Sequence, residues 1–395
     1  AVDDTSSDVN KALMEAIKGY TSNLKSVGGN SIVVTPSVTP SVAPTATPTV
    51  TVAPTADPTV TVAPTVAPTA APTVTVAPTV TVAPTATPTV TVAPTQSPEI
   101  TETPSVSQSA GAKTDLNDIA DSAFTNIIYV SPAGTSTATG TVDSPMDLET
   151  AIAKAGSIDG VAIILKEGTY AFNHQITINA DNSGNANAYK VLKASKGAKV
   201  TLDFSSQTYA TDTALNDRGI QLNASYWYVG GITIYGAADN GMMLSGSHNI
   251  IERCIFDGNR DTGLQISRKS SSVTDYKDWP SYNSVINCTS KNNCDPATYE
   301  NADGFAAKLT CGDGNIFDGC ISYNNSDDGW DLFAKTETGS IGVITIRNCI
   351  AIRNGKTEDG TTNSNCDGNG FKLGGSGVPT PHVVTNCLAI ENLHH

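Results

Sequence analysis

A short pattern, glycine followed by alternating apolar residues, recurs through the second half of the chain and limits the folds open to it. It begins at Gly219, Gly241, Gly263, Gly304, Gly329 and Gly370. Successive glycines are 22, 22, 41, 25 and 41 residues apart, which fits a coil of about 22 residues with insertions in the long intervals. Strands this short cannot bury an inner face alone, whereas stacked coils can, so the pattern predicts a solenoid.

A second register supports the same repeat. Five cysteines, each at the start of an apolar run, are followed five residues later by an asparagine: Cys254/Asn259, Cys288/Asn293, Cys320/Asn325, Cys349/Asn354 and Cys387/Asn392. The preceding coil carries Ile232 and Ala237 at these positions. We expect the asparagines to form a ladder of amides bonded from coil to coil. For the five cysteines we favour buried free thiols over a disulfide framework, and Cys294, Cys311 and Cys366 stay unassigned.

The segment before the repeat predicts how the solenoid begins. An apolar strand over 127–130 is followed by a Gly/Thr loop and then by a helix. Ser144 is the expected N-cap of that helix, with Pro145 at its first position and Asp147 three residues after the cap. A second strand, "VAIILKEGTY" (161–170), follows. This opening resembles the entry of right-handed parallel β-helices, so we predict an all-β, single-stranded, right-handed parallel β-helix domain over 115–395.

A Pro/Thr/Val-rich segment precedes this domain. Fifteen of the 21 prolines lie between Pro36 and Pro104, at intervals of four or six residues, which excludes a helix or a central strand. We therefore predict a disordered, extended linker over 36–114 that tethers the domain to other modules. Residues 1–35 are expected to be a short lead-in with one amphipathic helix over 8–26.

Charge and hydropathy exclude several partner classes. The chain carries 23 basic and 38 acidic residues, a net charge of −15, which argues against nucleic acid and against an anionic membrane surface. No run of 18 apolar residues occurs, so no bilayer-spanning helix is expected. The chain begins at Ala1 without methionine, as a processed protein or a fragment would.

The stretch "NNSDDGWDLF" places Asp327, Asp328 and Asp331 within five positions. A solvated acidic turn is the simplest interpretation of such a decapeptide. The glycine register argues against it, because Asp303 precedes Gly304 as Asp328 precedes Gly329, so the two aspartates stack on successive coils. Like charges this close repel each other, whereas Ca²⁺ takes six to eight oxygen ligands. We therefore expect a calcium site on this wall.

The same register places two lysines beside the aspartates. The second position after each repeat glycine reads Met243, Gln265, Ala306, Asp331 and Lys372. Lys372 is therefore expected one coil beyond Asp331 and on the same face. Lys308, four positions after Gly304, is expected on that face one coil before Asp331. A solvated surface charge is the usual role of such a lysine, but these two flank an acidic metal site.

The segments "NADGFAAKLT", "NNSDDGWDLF" and "GNGFKLGG", in this order on a β-helix, resemble polysaccharide lyase family 9, the calcium-dependent pectate lyases. The resemblance covers roughly residues 120–395. It implies that Asp303, Asp327, Asp328 and Asp331 bind calcium and that Lys372 is the catalytic base. Members of the family continue for further coils, and the Cys-to-Gly interval of nine places the next glycine at 396, so we expect a domain incomplete at its C-terminus.

The resemblance and the residues together predict a function. The expected activity is calcium-dependent β-elimination of polygalacturonate, the acidic polysaccharide of plant cell walls, by a secreted or cell-surface bacterial enzyme that acts as a monomer. Lys308 is expected to bind substrate. Two alternatives stay open: a galacturonan hydrolase, which is also a β-helix with clustered aspartates, and a non-catalytic carbohydrate-binding or adhesive solenoid.

Overall fold

The structure is a computed structural model that describes residues 116–210 and 216–394. The predicted helix over 8–26 and the linker over 36–114 lie outside the described residues and stay predictions. Within the described ranges, no helix has the length and apolar character needed to cross a bilayer.

The described residues form three parallel sheets, and after the first strand the chain visits the three sheets in turn. The first sheet consists of Asn126–Val130, Val161–Leu165, Lys190–Ala194, Trp227–Gly230, Ile250–Glu252, Ser284–Ile286, Ile316–Asp318, Thr345–Arg347 and Val383–Thr385. The second, called the site sheet below, consists of Ile176–Ile178, Ile220–Leu222, Met242–Leu244, Leu264–Ile266, Phe305–Ala307, Trp330–Asp331 and Phe371–Lys372. The third consists of Gly168–Ala171, Val200–Asp203, Thr233–Tyr235, Ile255–Asp257, Thr289–Lys291, Ile321–Tyr323, Ile350–Ile352 and Leu388–Ile390. The predicted parallel β-helix is confirmed.

The helices of the described residues are short. The α-helix Leu148–Ala155 buries one face against the first coil, and the 3₁₀ helices described span Leu116–Asp118, Asp121–Ala123, Ala180–Asn182 and Tyr276–Asp278. The prediction that Ser144 caps the α-helix is wrong. Asp147 is the N-cap and accepts a hydrogen bond of 2.8 Å from Thr150 N. The helix cannot begin earlier because Met146 is still extended, with its amide donating to Tyr129 O.

The predicted strand over 161–170 is divided between two sheets. Val161–Leu165 belongs to the first sheet and Gly168–Ala171 to the third. Gly168 has a φ of +138°, a conformation that other residues rarely adopt. The chain therefore turns a corner of the solenoid at this glycine, where the sequence alone suggested one continuous strand.

The glycine register is confirmed by the pairing in the site sheet. Met243 pairs with Gln265, Gln265 with Ala306, Ala306 with Asp331, and Asp331 with Lys372. Close approach explains why glycine recurs. At Gly304, an added Cβ would lie 2.0 Å from Ser322 Oγ and 2.8 Å from Asn325 Nδ2, so no side chain fits there.

Both predicted ladders are present. Cys254 N donates to Cys288 Sγ, and Cys320 N donates to Cys349 Sγ, each at 3.4 Å, in the buried core. All eight cysteines, including Cys294, Cys311 and Cys366, are unpaired thiols in the structure. The amides of Asn259, Asn293, Asn325, Asn354 and Asn392 are hydrogen-bonded in sequence at 2.7–2.9 Å.

A second asparagine ladder, not foreseen from the sequence, runs along another corner. Asn249 N donates to Asn283 Oδ1, and Asn283 Nδ2 donates to Asn315 Oδ1, both at 2.9 Å. Each of these asparagines lies five residues before a ladder cysteine. The second ladder could therefore have been predicted from the sequence. Its asparagines lie five residues before the ladder cysteines, and those of the first ladder lie five residues after them.

Asn325→Ala is expected to lower the free energy of unfolding by about 2–4 kcal/mol, because it leaves several buried partners without hydrogen bonds. Asn325 Nδ2 donates to Ser290 O, Ser322 Oγ and Asn354 Oδ1, and its side-chain oxygen accepts from Asn293. Chemical denaturation measures the effect. Asn179→Ala is the matched control, because Asn179 is exposed and its side chain makes no capping bond. Equal stability of the two variants would show that the ladder contributes little.

Candidate active site

The four predicted aspartates meet at one edge of the site sheet. Asp303 and Asp328 end the turns that lead into two neighbouring strands, and Asp331 lies on the second of these. One carboxylate oxygen each of Asp303, Asp328 and Asp331 lies within 4.8 Å of the others. All four, Asp327 included, are buried. The alternative interpretation, an exposed and solvated acidic turn, therefore does not describe this stretch.

A fifth carboxylate, Asp367, joins the cluster and was not singled out in the sequence. One oxygen each of Asp327, Asp328 and Asp367 lies within 4.8 Å of the others. Asp367 is three residues before Gly370, in the turn that leads into the last strand of the site sheet. Its position in the repeat does not match that of the other aspartates, which is why the register did not reveal it.

Backbone amides hold these carboxylates in place. Asp327 accepts hydrogen bonds from Asn301 N at 2.8 Å and from Asp367 N at 2.7 Å. Asp328 Oδ1 accepts from Asn369 N at 2.7 Å and from its side-chain amide at 2.9 Å. Amides of the turns before two different strands thus orient the cluster, which makes its geometry a property of the stacked coils.

Lys308 and Lys372 both reach the cluster. Lys308 Nζ lies 2.6 Å from Asp303 Oδ2 and 3.1 Å from Asp331 Oδ2, and its side chain is buried. Lys372 Nζ lies 2.6 Å from Asp367 Oδ2 and 3.2 Å from Asp328 Oδ2, and packs 5.4 Å above the Phe333 ring. The side chain of Lys372 is 21% exposed against 7% for Lys308, so Lys372 is the more accessible amine.

Burial, together with the charges of neighbouring carboxylates, raises the pKa values of Asp303 and Asp328, and burial raises that of Asp327. Burial raises the pKa of Asp328 to about 7, and the charge of Asp327 adds to the shift, while Lys372 opposes it. Burial likewise raises the pKa of Asp303 well above its usual range despite Lys308. Burial lowers the pKa of Lys372, but the charges of Asp331 and Asp328 outweigh it and the net pKa is raised.

This set of donors fits a hard divalent cation. Five carboxylates face two ammonium groups, which leaves a formal charge of −3 in a confined space. Asp328 Oδ2 is buried and accepts no hydrogen bond, although the Lys372 ammonium lies 3.2 Å away. Oxygen donors without nitrogen or sulfur are the ligands that Ca²⁺ prefers.

One histidine, His394, also approaches the cluster. His394 Nδ1 hydrogen-bonds the backbone carbonyl of Asp367, and its amide donates to Gly368 O. The contact is to the backbone and not to a carboxylate. Lys372 therefore remains the candidate base, because it pairs with Asp331 in the sheet and its amine is accessible to solvent.

Comparison with known proteins decides the family. The family model described as "Pel9A-like, right handed beta helix region" matches residues 128–395. The chain belongs to this Pel9A-like β-helix family. The resemblance to polysaccharide lyase family 9 is thereby confirmed, together with the right hand of the solenoid.

Two curated relatives of the Pel9A-like chain share the name "Pectate lyase L". It is 44% identical over 290 residues to "Pectate lyase L" of Paenibacillus polymyxa, which covers 73% of this chain and 63% of the relative. It is 47% identical over 267 residues to "Pectate lyase L" of Thermoclostridium stercorarium, which covers 67% of this chain and 20% of the relative. The chain thus spans less than two thirds of the length of either relative.

A solved structure of pectate lyase Pel9A superposes with a TM-score of 0.58 at 32% identity, over 68% of this chain and 64% of that one. A rhamnogalacturonan lyase superposes with a TM-score of 0.55 at 22% identity, over 68% and 69% of the two chains. The similarity to the rhamnogalacturonan lyase shows only that the two proteins share a fold.

Proposed function

We propose that this protein is a pectate lyase that cleaves α-1,4-linked galacturonan by calcium-dependent β-elimination, with Lys372 as the base. The observation that carries the proposal is the stacking of Lys372 on Asp331 in adjacent strands, beside a buried cluster of oxygen donors. The names of the curated relatives support the substrate class.

Asp303, Asp327, Asp328 and Asp331 would hold the cation, and Asp367 is placed to assist them. When bound, Ca²⁺ would supply positive charge that offsets the repulsion between protein and substrate carboxylates and favours loss of the C5 proton and the neutral form of Lys372. Lys372 Nζ takes the C5 proton, the C5–H electron pair forms the C4–C5 double bond, and the C4–O bond breaks. The leaving oxygen takes up a proton, and no water attacks the sugar.

Lys308 has a supporting role in this proposal. Its ammonium group is held between Asp303 and Asp331, and the strand that precedes it, Phe305–Ala307, is two strands from Phe371–Lys372 in the site sheet. From there its charge faces the same space as the substrate carboxylate. It would orient that carboxylate and disfavour protonation of Lys372, since like charges oppose each other.

We further propose how the catalytic domain is deployed. The enzyme is secreted and acts as a monomer on plant cell-wall pectin. Its β-helix extends over 115–395, and the Pro/Thr/Val-rich segment 36–114 tethers it to other modules. The net charge of −15 is consistent with a partner that is a polysaccharide and not a nucleic acid.

Polygalacturonate incubated with the protein and Ca²⁺ is expected to gain the ultraviolet absorbance of a C4–C5 unsaturated uronate, and EDTA is expected to stop the reaction. A galacturonan hydrolase would release reducing ends without that absorbance and would continue in EDTA. A carbohydrate-binding solenoid would bind the polymer and release nothing. Either outcome would overturn the proposed function.

A further inference from the structure

A polar cleft of about 490 Å³ lies beside the site sheet, several coils before the candidate active site. Its floor is formed where three neighbouring strands of the site sheet end, at Asn223, Ser245 and the segment after Ile266. Its far wall is the insertion 267–283, which lengthens one coil of the repeat. The cleft and the candidate active site therefore belong to the same sheet and are displaced from each other along the solenoid axis.

Contacts within the insertion order the wall of the cleft. Arg268 Nη1 donates to Val273 O at 3.0 Å, and the Tyr276 and Trp279 rings pack 5.2 Å apart, with Trp279 buried. Lys277 Nζ lies 3.2 Å from both Asp275 and Asp278, two carboxylates that face the cleft. The single Lys277 ammonium group therefore offsets one of these two negative charges.

Lys269 at this cleft is a cation without a counter-ion. Its side chain is exposed, and no carboxylate in the described part of the chain forms an ion pair with it. Around it the lining offers hydroxyl and amide groups, among them Ser245, Ser247, Ser272 and Asn223. Such groups pair with sugar hydroxyls, and one free ammonium matches one carboxylate.

The opposite edge of the same strands repels a polyanion. Asp217, Asp239 and Asp261 each lie two residues before a repeat glycine, and so line that edge. The arginines there already have partners, since Arg218 Nε lies 3.5 Å from Asp239 Oδ2 and Arg260 lies 5.5 Å from the Tyr209 ring centre. An acidic chain that follows the solenoid from the active site is therefore favoured at the Lys269 edge.

We propose that this cleft is a distal subsite that binds a uronate of the polymer, with Lys269 as its carboxylate-binding residue. Met242–Leu244, at its centre, is three strands from Trp330–Asp331 in the site sheet, which corresponds to about 14 Å. That separation exceeds one sugar ring, so the subsite would be filled by long substrates only. The inference rests on the proposed function, because it assumes the same acidic polymer.

The test compares Lys269→Ala and Lys269→Glu with Lys196→Ala and Lys196→Glu, which make the same charge changes at an exposed lysine outside the cleft. On long polygalacturonate, KM is expected to rise about two- to fivefold for Lys269→Ala and further for Lys269→Glu, with kcat unchanged. On trigalacturonate, which reaches only a ring or two from the cleaved bond, neither variant should change KM. Equal effects on both substrates, or none on either, would overturn the subsite.

Affinity electrophoresis in gels containing polygalacturonate, with neutral galactan as the control polymer, separates the two proposals. The wild-type protein and the Lys196 variants are expected to be retarded by polygalacturonate more than the Lys269 variants. This result would support the subsite even if no unsaturated product formed, in which case only the proposed activity would fail. Equal retardation of wild type and Lys269→Glu would overturn the subsite whatever the activity.

Discussion

Lys372→Ala is expected to abolish the elimination reaction while leaving calcium and polygalacturonate binding nearly intact. Lys372 pairs in register with Asp331 and lies on the open side of the carboxylate cluster, where a sugar bound at that cluster would meet it. Proton abstraction occurs only in the transition state, so kcat should fall by about 10²–10⁴-fold and KM should barely change. Initial rates of unsaturated-product formation measure both constants.

Lys372→Arg is the matched control for charge. It keeps the cation near Asp328 and Asp367 but cannot supply a neutral base at accessible pH, so it should be as inactive as the alanine variant. Lys308→Ala should instead alter both kcat and KM, since Lys308 is expected to act on the substrate carboxylate and on the pKa of Lys372. If Lys372→Ala stayed active and Lys308→Ala did not, Lys308 would be the base.

Removal of calcium is expected to eliminate activity without unfolding the solenoid, and to make its stability depend on pH. The ladders and the buried core do not include the carboxylate cluster, so the fold should survive chelation. The chelated protein should nevertheless melt at a progressively lower temperature as pH rises from about 4 to about 7. Thermal unfolding in EDTA across this range, followed by circular dichroism, measures the effect.

The sign of this pH dependence follows from the shifted pKa values. Burial and neighbouring carboxylates raise the pKa of Asp328 from 3.8 to about 7, and the pKa values of Asp303 and Asp327 are also raised. The folded state therefore binds more protons than the unfolded state in this window, and stability falls as those protons leave. The raised pKa values of Lys308 and Lys372 affect the pH dependence of stability only above about pH 10.5.

Asp328→Asn is the matched control for the pH effect, because it removes the carboxylate with the buried, unbonded oxygen. In EDTA its melting temperature should fall less between pH 4 and pH 7 than that of the wild type, and it should bind Ca²⁺ more weakly. A chelated wild type that unfolds completely would assign the cation a structural role. A melting temperature independent of pH would mean that repulsion in the cluster is negligible.

The sequence determined the fold and the register because both are local and periodic. One coil must place glycine where an added Cβ would lie only 2–3 Å from neighbouring atoms, and an asparagine where the next amide can bond to it. The same residue types therefore recur at each turn. Counting from the glycines placed Lys372 on Asp331 correctly. The same counting aligned Asp303 with Asp328, whose amide donates to Asp303 Oδ1 at 3.2 Å.

The tertiary structure decided what the repeat does not encode. Asp147 rather than Ser144 caps the helix because Met146 is bound to the first strand, a contact between segments that local propensity does not register. Asp367 and the insertion 267–283 lie in turns of variable length, so no fixed spacing predicts which neighbour they meet. Only the stacked coils bring Asp367 within hydrogen-bonding distance of Asp327, 40 residues earlier in the sequence. They also leave Lys269 without an ion-pair partner among the described residues. Both results depend on distances between turns that are remote in sequence.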